Sequence, residues 1–296
     1  MKKSFIFSIL AVVLMAFASC QPTQKAPIEE WQSMLDDSLS QWRVYQSFIH
    51  KNGYHGQTPT DSLGNEIQPI GYDKNVNNVF RVEEIDGEKM LHVTGEIYGC
   101  VFTRNDYRNY RFRLKVKFGE AKFEPRLDKP MDSGIIYHSS GECGADYFKT
   151  WMRGNEFQVQ DLSEESEECF GNYWGNAGAR AVVHADTIPD SYYIRYNPEG
   201  DIRTTGSCIL TKPLGSPHGE WTELELICYE GKSLHIVNGE VVLAIQRSFY
   251  KEGDNEVPML EGKIQLQCEA GEVFYKDIEM LPITEIPAEY TSYFDE

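Results

Sequence analysis

Apolar and polar residues alternate with a period of two along much of the chain. The clearest run is Arg111–Phe118, and 223–229 and 263–267 follow nearly the same pattern. Because successive side chains of a strand point to opposite faces of a sheet, this period predicts half-buried β-strands. Glycine, asparagine, proline or acidic turn residues bound each run. Helical periodicity is weak throughout, and 28–39 is the one segment with room for a helical turn or two.

One pair of apolar runs also carries a strong hairpin signal. Segments 233–237 and 241–245 meet across Asn238-Gly239, a dipeptide that suits the tight turn between two antiparallel strands. Many short strands joined by turns of this kind are typical of a β-sandwich or a barrel. No linker long or biased enough to divide the chain lies between Trp31 and Ile283. We therefore expect a single domain over 31–296.

The most informative segment of the chain is 156–160. Glu156, Gln158 and Gln160 alternate there with Phe157 and Val159. A strand at this place presents a carboxylate and two amides on one face and apolar side chains on the other. Such a polar floor suits a ligand rich in hydroxyl groups better than a phosphate or a nucleic acid.

The N-terminal segment indicates export. Lys2 and Lys3 precede an apolar run over 5–17, which ends in two small residues and Cys20. This pattern resembles the signal peptide and lipobox of bacterial lipoproteins. A transmembrane helix is the alternative, but the 13-residue run is shorter than the ~20 residues that spanning needs. We expect a signal peptide over 1–19 and a polar tether over 20–30, anchored to a membrane by acylated Cys20. No acidic run follows Cys20, which favours the periplasmic side of a bacterial cell envelope.

The net charge limits the possible partners. The formal net charge is −18 at pH 7. Such a field repels phosphate backbones, which excludes nucleic acid as a partner and favours a neutral ligand. Most of the acids are scattered along the sequence, and this is also typical of a solvated surface.

The cysteines suggest no metal site. No CxxC pair appears, and the spacings of the six cysteines after Cys20 do not resemble a zinc site. Cys143 and Cys169 lie in polar, loop-like sequence and form the expected disulfide of an exported protein. Cys100 and Cys228 lie in apolar alternation and are expected to pack as small hydrophobic residues.

An ordered series of motifs carries a family resemblance. The series resembles the 3-keto-disaccharide hydrolase domain family over about 31–283, and its motifs lie at 103–110, 119–126, 132–138, 156–160, 219–221, 262–269 and 273–278. The resemblance implies an all-β, concanavalin-like jelly-roll sandwich of two antiparallel sheets with a concave ligand cleft. Glucanases and lectins share that architecture, so the fold alone does not name the reaction.

The residues of the cleft strand distinguish between two possible reaction mechanisms. Retaining glucanases of this architecture carry alternating acids on that strand, with nucleophile and acid/base about 5 Å apart. Here Gln158 and Gln160 follow Glu156, and an amide cannot ionise. The family resemblance implies instead that a base removes the C2 proton of a 3-keto sugar, the group at C1 leaves, and water adds to the product. A positive group or a divalent cation at the enolate oxygen would assist.

The candidate site residues are assigned to positions that match the family motifs. His138 and Glu156 are the candidate bases, and together they are also a candidate pair of metal ligands. A histidine hydrogen-bonded at a strand end and a carboxylate that holds Arg153 are the structural alternatives. The candidates for substrate binding are Arg104, Lys122, Arg126, Trp151, Gln158, Gln160, Trp174, Gln267 and Glu269. The cations are equally well explained as surface ions, and the amides as cross-strand hydrogen-bonding groups.

Three functional hypotheses follow. The first is a membrane-tethered enzyme that cleaves 3-keto-glycosides, supplied by a separate oxidoreductase because the chain has no glycine-rich dinucleotide motif. The second is a non-catalytic carbohydrate-binding lipoprotein, which the same polar strand and aromatic residues would serve. The third is a glucanase-like glycosidase, which requires a second carboxylate near Glu156.

Overall fold

The computed structural model describes residues 30–162, 169–210 and 214–295. The signal peptide over 1–19, the acylation site Cys20 and the tether up to residue 29 lie outside the described residues, so they stay predictions. Of the helices among the described residues, none is long and apolar enough to cross a membrane.

Within the described residues the regular secondary structure is almost entirely strand. Two short 3₁₀ helices cover Val76–Asn78 and Ala288–Tyr293. The strands are β1 (Gln32–Ser33), β2 (Trp42–Gln46), β3 (Gly71–Tyr72), β4 (Phe80–Ile85), β5 (Glu88–Val93), β6 (Gly99–Thr103), β7 (Tyr110–Lys122), β8 (Asp132–Ser140), β9 (Arg153–Gln160), β10 (Tyr173–Asn176), β11 (Arg180–Thr187), β12 (Ile194–Tyr196), β13 (Asp201–Thr205), β14 (Ser207–Ile209), β15 (Thr222–Tyr229), β16 (Lys232–Val237), β17 (Glu240–Glu252), β18 (Asn255–Pro258), β19 (Lys263–Cys268) and β20 (Gly271–Pro282).

Strand pairing arranges these elements in two layers. The back sheet runs in the order β4-β5-β20-β7-β15-β16-β17-β11, and the front sheet runs β3-β2-β6-β19-β8-β9-β10-β14. Strand β12 pairs with both β11 and β14 and so joins the two sheets along one side. The predicted all-β, concanavalin-like jelly roll is confirmed.

Strand β7 shows how the alternating pattern builds the back sheet. Its apolar side chains, such as Phe112 and Leu114, are buried in the core between the sheets. The basic residues between them point outwards and pair with acids of the neighbouring strands, as in Arg111–Glu225 and Lys115–Asp277. Exposed pairs of this kind contribute up to about 1 kcal/mol each, so the buried face stabilises the strand more. The three strands predicted from the alternation are confirmed as β7, β15 and β19.

Two local predictions have different outcomes. The hairpin across Asn238-Gly239 is confirmed by the pairing of β16 with β17, and both turn residues have positive φ, as the dipeptide predicts. The expected helical turn in 28–39 is wrong for its described part. Residues 32–33 pair with β20 instead, and Asp36 accepts backbone hydrogen bonds from Ser38 and Ser40 in the turn that follows.

The expected disulfide between Cys143 and Cys169 is also wrong. All six cysteines among the described residues are free thiols. Cys169 is buried in the main core between the sheets, where its thiol donates a hydrogen bond to Asn172. Cys143 instead packs against a separate apolar cluster that contains Cys100. The two thiols therefore occupy different parts of the molecule.

Polar links between the sheets position strand β8. Ser133 hydrogen-bonds the Tyr275 hydroxyl at 2.5 Å, and the Tyr137 hydroxyl hydrogen-bonds Ser233 at 2.8 Å. Both partners belong to the back sheet, so the odd-numbered residues of β8 face inwards. The even-numbered residues from Asp132 to Ile136 consequently face the outer surface of the front sheet.

Candidate functional site

Three adjacent strands of the front sheet form a polar floor. Phe157 and Val159 of β9 point into the core, which confirms the predicted alternation and turns Glu156 and Gln158 outwards. Strand β8 lies beside β9, and β19 lies on the other side of β8. The floor therefore combines side chains that are far apart in sequence.

A cavity of about 340 Å³ lies over this floor. Carboxylates, amides and aromatic rings line it, together with one guanidinium group. The lining residues are Arg126, Asp132, Asp146, Tyr147, Phe148, Trp151, Glu156, Gln158, Trp174, Asn176, Tyr192, Tyr193, Gln267 and Glu269. This set is called the cleft below.

Gly134 of β8 lies in the floor of the cleft. Its Cα pairs with Gln158 across β8 and β9. A Cβ atom at this position would lie 2.2 Å from Gln267 Oε1 and 2.9 Å from Glu156 Oε1. A side chain at this position would displace the ends of both Gln267 and Glu156. The absence of a side chain at Gly134 therefore brings a carboxylate and an amide from different strands into one position.

The Gln267 amide is poised for a ligand. The residue is fully buried, and neither its oxygen nor its nitrogen has a hydrogen-bond partner among the described residues. A buried polar group without a partner costs about 1–3 kcal/mol. The amide lines the cleft, so a hydroxyl or carbonyl group of a ligand can supply the missing hydrogen bonds.

Glu156 lies beside this amide. The residue is 6% exposed, and its Oε2 accepts a hydrogen bond of 2.6 Å from the Asn176 amide. Asn176 belongs to β10, which pairs with β9. The neighbouring strand thus fixes the orientation of the carboxylate, while Oε1 faces the position above Gly134.

Arg126 connects two other carboxylates of the cleft. Its Nη2 lies 2.6 Å from Glu269 Oε1 and also contacts Asp132, whose Oδ1 accepts a hydrogen bond from Gln158. The three ionic side chains are at most 16% exposed. Burial alone would lower the pKa of Arg126, but the two carboxylates outweigh it and raise that pKa. The guanidinium group is therefore permanently charged and neutralises two buried acids.

Asp146 organises the loop that forms one wall of the cleft. Its carboxylate accepts backbone hydrogen bonds from Phe148, Thr150 and Trp151, at 2.6–2.8 Å. Burial raises the pKa of Asp146, and these hydrogen bonds only partly offset the rise. The Trp151 indole donates to the Gly99 carbonyl at 2.9 Å. Trp151 is consequently held at the base of the wall, with 2% of its surface exposed.

A second wall consists of three aromatic residues, of which the sequence predicted only Trp174 as a substrate-binding residue. Trp174 meets Tyr193 edge to face, with ring centroids 5.6 Å apart, and the Tyr192 ring lies tilted against Tyr193, with centroids 4.0 Å apart. Both tyrosines lie in 186–216, a segment without a recognisable motif. The clustered tyrosines were the available signal, since aromatic side chains commonly stack on sugar rings.

The structure does not bring His138 to the cleft. The imidazole packs edge to face against Tyr110 and Tyr137, at centroid distances of 5.9 and 5.4 Å, and is 1% exposed. The cause is local: a bulge interrupts the pairing of β8 after Tyr137, and His138 has a φ of 48°. The alternation that would point the ring outwards is lost there. This corrects the expectation that His138 and Glu156 share one trough as bases or metal ligands.

Because His138 is buried, it makes the stability of the fold depend on pH in the acidic range. Desolvation lowers its pKa from 6.5 to about 4, although backbone groups of Met259 and Arg108 partly oppose the shift. The unfolded chain therefore binds a proton that the fold excludes, and stability present above pH 6.5 is lost as the pH falls towards 4. The loss is on the order of 3 kcal/mol. His235 has a similarly lowered pKa.

We expect His138→Asn to flatten this pH dependence by roughly a third to a half, because burial also lowers the pKa values of His235 and His50, which still titrate. Asparagine tolerates positive φ, so the backbone at 138 is retained. The free energy of unfolding, measured by urea denaturation from pH 7 to 4, checks the prediction. His55→Asn is the matched control, since His55 is exposed and also has a φ of 48°. An unchanged pH slope in His138→Asn would contradict it.

Three other candidates lie outside the cleft. Arg104 lines a different cavity with Arg43 and Asp73, and its Nε donates to the Ser40 carbonyl. Lys122 ends β7 and pairs with Gly271 in the back sheet. Gln160 faces Asp132 across the strands, but it is buried and does not line the cleft. The expectation that these three contact substrate is corrected accordingly.

The remaining candidates do lie together. Glu156, Arg126, Trp151, Gln158, Trp174, Gln267 and Glu269 all line the cleft. Asp132, Asp146 and Asn176 were missed, although Asp132 opens one of the motifs. Asp132 and Asn176 contact residues of other strands, so no local pattern marks them, whereas Asp146 holds a tight loop through residues two to five positions later.

The described residues do not fit a metal site. Among them, no group of three or more His, Cys, Asp or Glu side chains is arranged to hold a metal ion. Asp132 and Glu269, the closest approach to such a group in the cleft, are both bound to Arg126. These two carboxylates are already occupied by the guanidinium group, so no catalytic step is assigned to a metal.

A family model matches residues 30–281, described as a 3-keto-alpha-glucoside-1,2-lyase-like domain. The chain belongs to this family. The match confirms the resemblance carried by the sequence motifs and spans every strand of both sheets except the last residue of β20. Membership in the 3-keto-alpha-glucoside-1,2-lyase-like family places the chain among carbohydrate-active proteins.

Solved structures similar to this family member share little sequence with it. A candidate glycosyl hydrolase from Parabacteroides distasonis is 16% identical, with a TM-score of 0.41, over 83% of this chain and 89% of that one. A protein of unknown function with a galectin-like fold, from Bacillus subtilis, is 13% identical, with a TM-score of 0.43, over 87% and 96%. No curated protein matches the chain.

Proposed function

We propose that the chain cleaves 3-keto-glycosides in the cleft, with Glu156 as the base that removes the C2 proton. The observation that carries this proposal is the meeting of the Glu156 carboxylate and the unpartnered Gln267 amide over Gly134. Proton abstraction next to a ketone requires a base and a hydrogen-bond donor, and the Gln267 amide nitrogen, which has no partner among the described residues, carries two N–H groups. The family to which the chain belongs supports the substrate class.

The reaction balances without an external oxidant or reductant. Glu156 takes the C2 proton, and the electron pair of that C–H bond forms the enolate of the C3 ketone. The enolate then expels the leaving group, which departs from C1 with its bonding pair and takes up a proton. A C1–C2 double bond conjugated to the ketone remains. Water can add across it, with oxygen at C1 and hydrogen at C2, and the net result is hydrolysis of the glycoside.

The position of Glu156 distinguishes it from the other cleft acids. Asp132 and Glu269 bind Arg126, and the carboxylate of Asp146 accepts the backbone hydrogen bonds of a tight loop. Protonating any of these three would break an ion pair or loosen a wall. Glu156 instead holds its Oε1 over Gly134, beside the Gln267 amide in the floor of the cleft.

The Gln267 amide is the proposed partner of the ketone. An enolate oxygen needs donors that are already oriented, because the charge develops only during the reaction. A buried amide that lacks protein partners satisfies this requirement, since it is not competing for another hydrogen bond. Arg126 lines the same cleft, where its guanidinium group is bound to Asp132 and Glu269.

Carbohydrate binding without catalysis is the second candidate function. The aromatic wall of Trp174, Tyr192 and Tyr193 would stack on a sugar whether or not chemistry follows. The glucanase-like hypothesis is weaker, because Asp132 and Glu269, which share the cleft with Glu156, are held by Arg126. A substrate test separates the three.

The test compares 4-nitrophenyl 3-keto-glucosides, in both anomeric forms, with the unoxidised 4-nitrophenyl glucosides. We expect nitrophenolate release from a keto substrate alone. In deuterium oxide, NMR should show deuterium at C2 of the sugar product. Equal cleavage of the unoxidised glucosides would favour a glucanase, whereas binding without release from any substrate would favour the carbohydrate-binding hypothesis.

A further inference from the structure

A second cavity, of about 300 Å³, adjoins the cleft. Arg126, Tyr147 and Phe148 line both cavities, so these three residues form a shared wall. The far side of the second cavity comes from the segment 50–56. A ligand that extends beyond one sugar unit in the cleft would enter this space next.

Hydrogen bonds and ring packing hold the shared wall in place. The Tyr147 hydroxyl donates a hydrogen bond to the His55 carbonyl. Its ring lies against Gly56, where a Cβ atom would be only 2.2 Å from Tyr147 Cε1 and where φ is +69°. Glycine is thus required for the ring to dock. His50 Nε2 hydrogen-bonds the Phe148 carbonyl at 3.1 Å, which fixes the same loop from below.

The charge of this second cavity is opposite to that of the molecule. The formal net charge of the chain is −18, yet none of the described residues that line the cavity is acidic. Lys51 and Lys129 both line it and are exposed. No ion pair or hydrogen bond of either ammonium group is found among the described residues, whereas Lys115 and Lys276, for example, bind acids.

The other polar groups of the cavity are compatible with an anion. Desolvation lowers the pKa of His50, so this ring is neutral and structural. The Tyr98 hydroxyl is buried at the base of the cavity beside Arg126, and burial raises its pKa, which keeps the proton available for donation. Arg126 is neutralised from the cleft side by two acids. The uncompensated charge is therefore that of the two lysines.

We infer that this basic cavity binds an oxyanion, a carboxylate or a phosphate, carried by the leaving group of the glycoside. The inference rests on the proposed function, because it assigns the sugar that reacts to the cleft and its substituent to the adjoining space. It differs from the expectation, drawn from net charge, of a neutral ligand. The acidic surface repels anions at long range, and two lysines select them locally at short range.

The experiment compares two 3-keto-glucosides of matched shape, with 4-carboxyphenyl and 4-carbamoylphenyl leaving groups. For the intact protein we expect a KM about fivefold lower for the carboxylate, the size expected from two exposed charge pairs. Lys51→Ala/Lys129→Ala should abolish this KM ratio. The control Lys74→Ala/Lys251→Ala makes the same change of net charge at exposed sites outside both cavities and should preserve it.

Two further measurements identify the preferred anion and distinguish failure of this inference from failure of the proposed cleavage reaction. Inorganic phosphate and glucuronate, compared as inhibitors at equal ionic strength, distinguish a phosphate from a carboxylate preference. A KM ratio of one in the unaltered protein, or a ratio retained by Lys51→Ala/Lys129→Ala, overturns the inference while cleavage itself stands. If neither keto-glucoside is cleaved, NMR titration with glucuronate and its methyl ester decides. Tighter binding of glucuronate than of its methyl ester, with the difference lost in Lys51→Ala/Lys129→Ala, supports anion binding in the second cavity. Equal binding of the two compounds overturns the inference.

Discussion

Glu156→Gln is expected to lower kcat on a 3-keto-glycoside by about three orders of magnitude. The amide has the shape of the carboxylate but cannot accept the C2 proton. It can still accept the hydrogen bond from Asn176 through its carbonyl oxygen, so the β9–β10 contact is retained. We therefore expect KM to change by less than about fivefold and the free energy of unfolding by less than about 1 kcal/mol.

Nitrophenolate release gives kcat and KM, and urea denaturation gives the free energy of unfolding. The control is Glu66→Gln, the same substitution at an exposed position outside the cleft, which should leave both constants unchanged. A raised KM with unaltered kcat would show that Glu156 only binds the sugar. Full activity of Glu156→Gln would place the base elsewhere and remove the mechanism.

The alternation of polar and apolar residues predicted the site only as far as one strand. Phe157 and Val159 point to the core, so the polar face of β9 follows directly from a period of two. The same rule failed for His138, since it assumes unbroken pairing. A bulge and a left-handed backbone conformation turn that ring away, and both depend on how β8 meets β19 and β9.

The missed residues depend on contacts that are remote in sequence. Gly134 belongs to a recognised motif, but its role appears only when Gln267, 133 positions later, lies above it. Arg126 was a candidate by motif, whereas its two acid partners come from β8 and from the end of β19. Register between strands decides such meetings, and one sequence does not specify register beyond a hairpin.

Arg126→Leu is expected to destabilise the protein by about 3–5 kcal/mol. Leucine fills part of the space but leaves Asp132 and Glu269, whose side chains are 3% and 5% exposed, without their shared cation. Two like charges then face each other in a poorly solvated site. The free energy of unfolding from urea denaturation at pH 7 measures the loss, and Arg43→Leu is the control. Arg43 pairs with Asp73 in an ion pair whose side chains are 36% and 53% exposed, so its removal should cost less than about 1 kcal/mol.

A combined variant tests whether uncompensated charge is the cause. Adding Asp132→Asn and Glu269→Gln to Arg126→Leu removes both carboxylate charges while keeping the side-chain shapes, so most of the lost stability should return. If the triple variant is no more stable than Arg126→Leu, the loss reflects packing of the arginine stem rather than the charge pairs. Recovery of stability in the triple variant would instead show that the cleft retains a buried cation because it compensates two buried carboxylates.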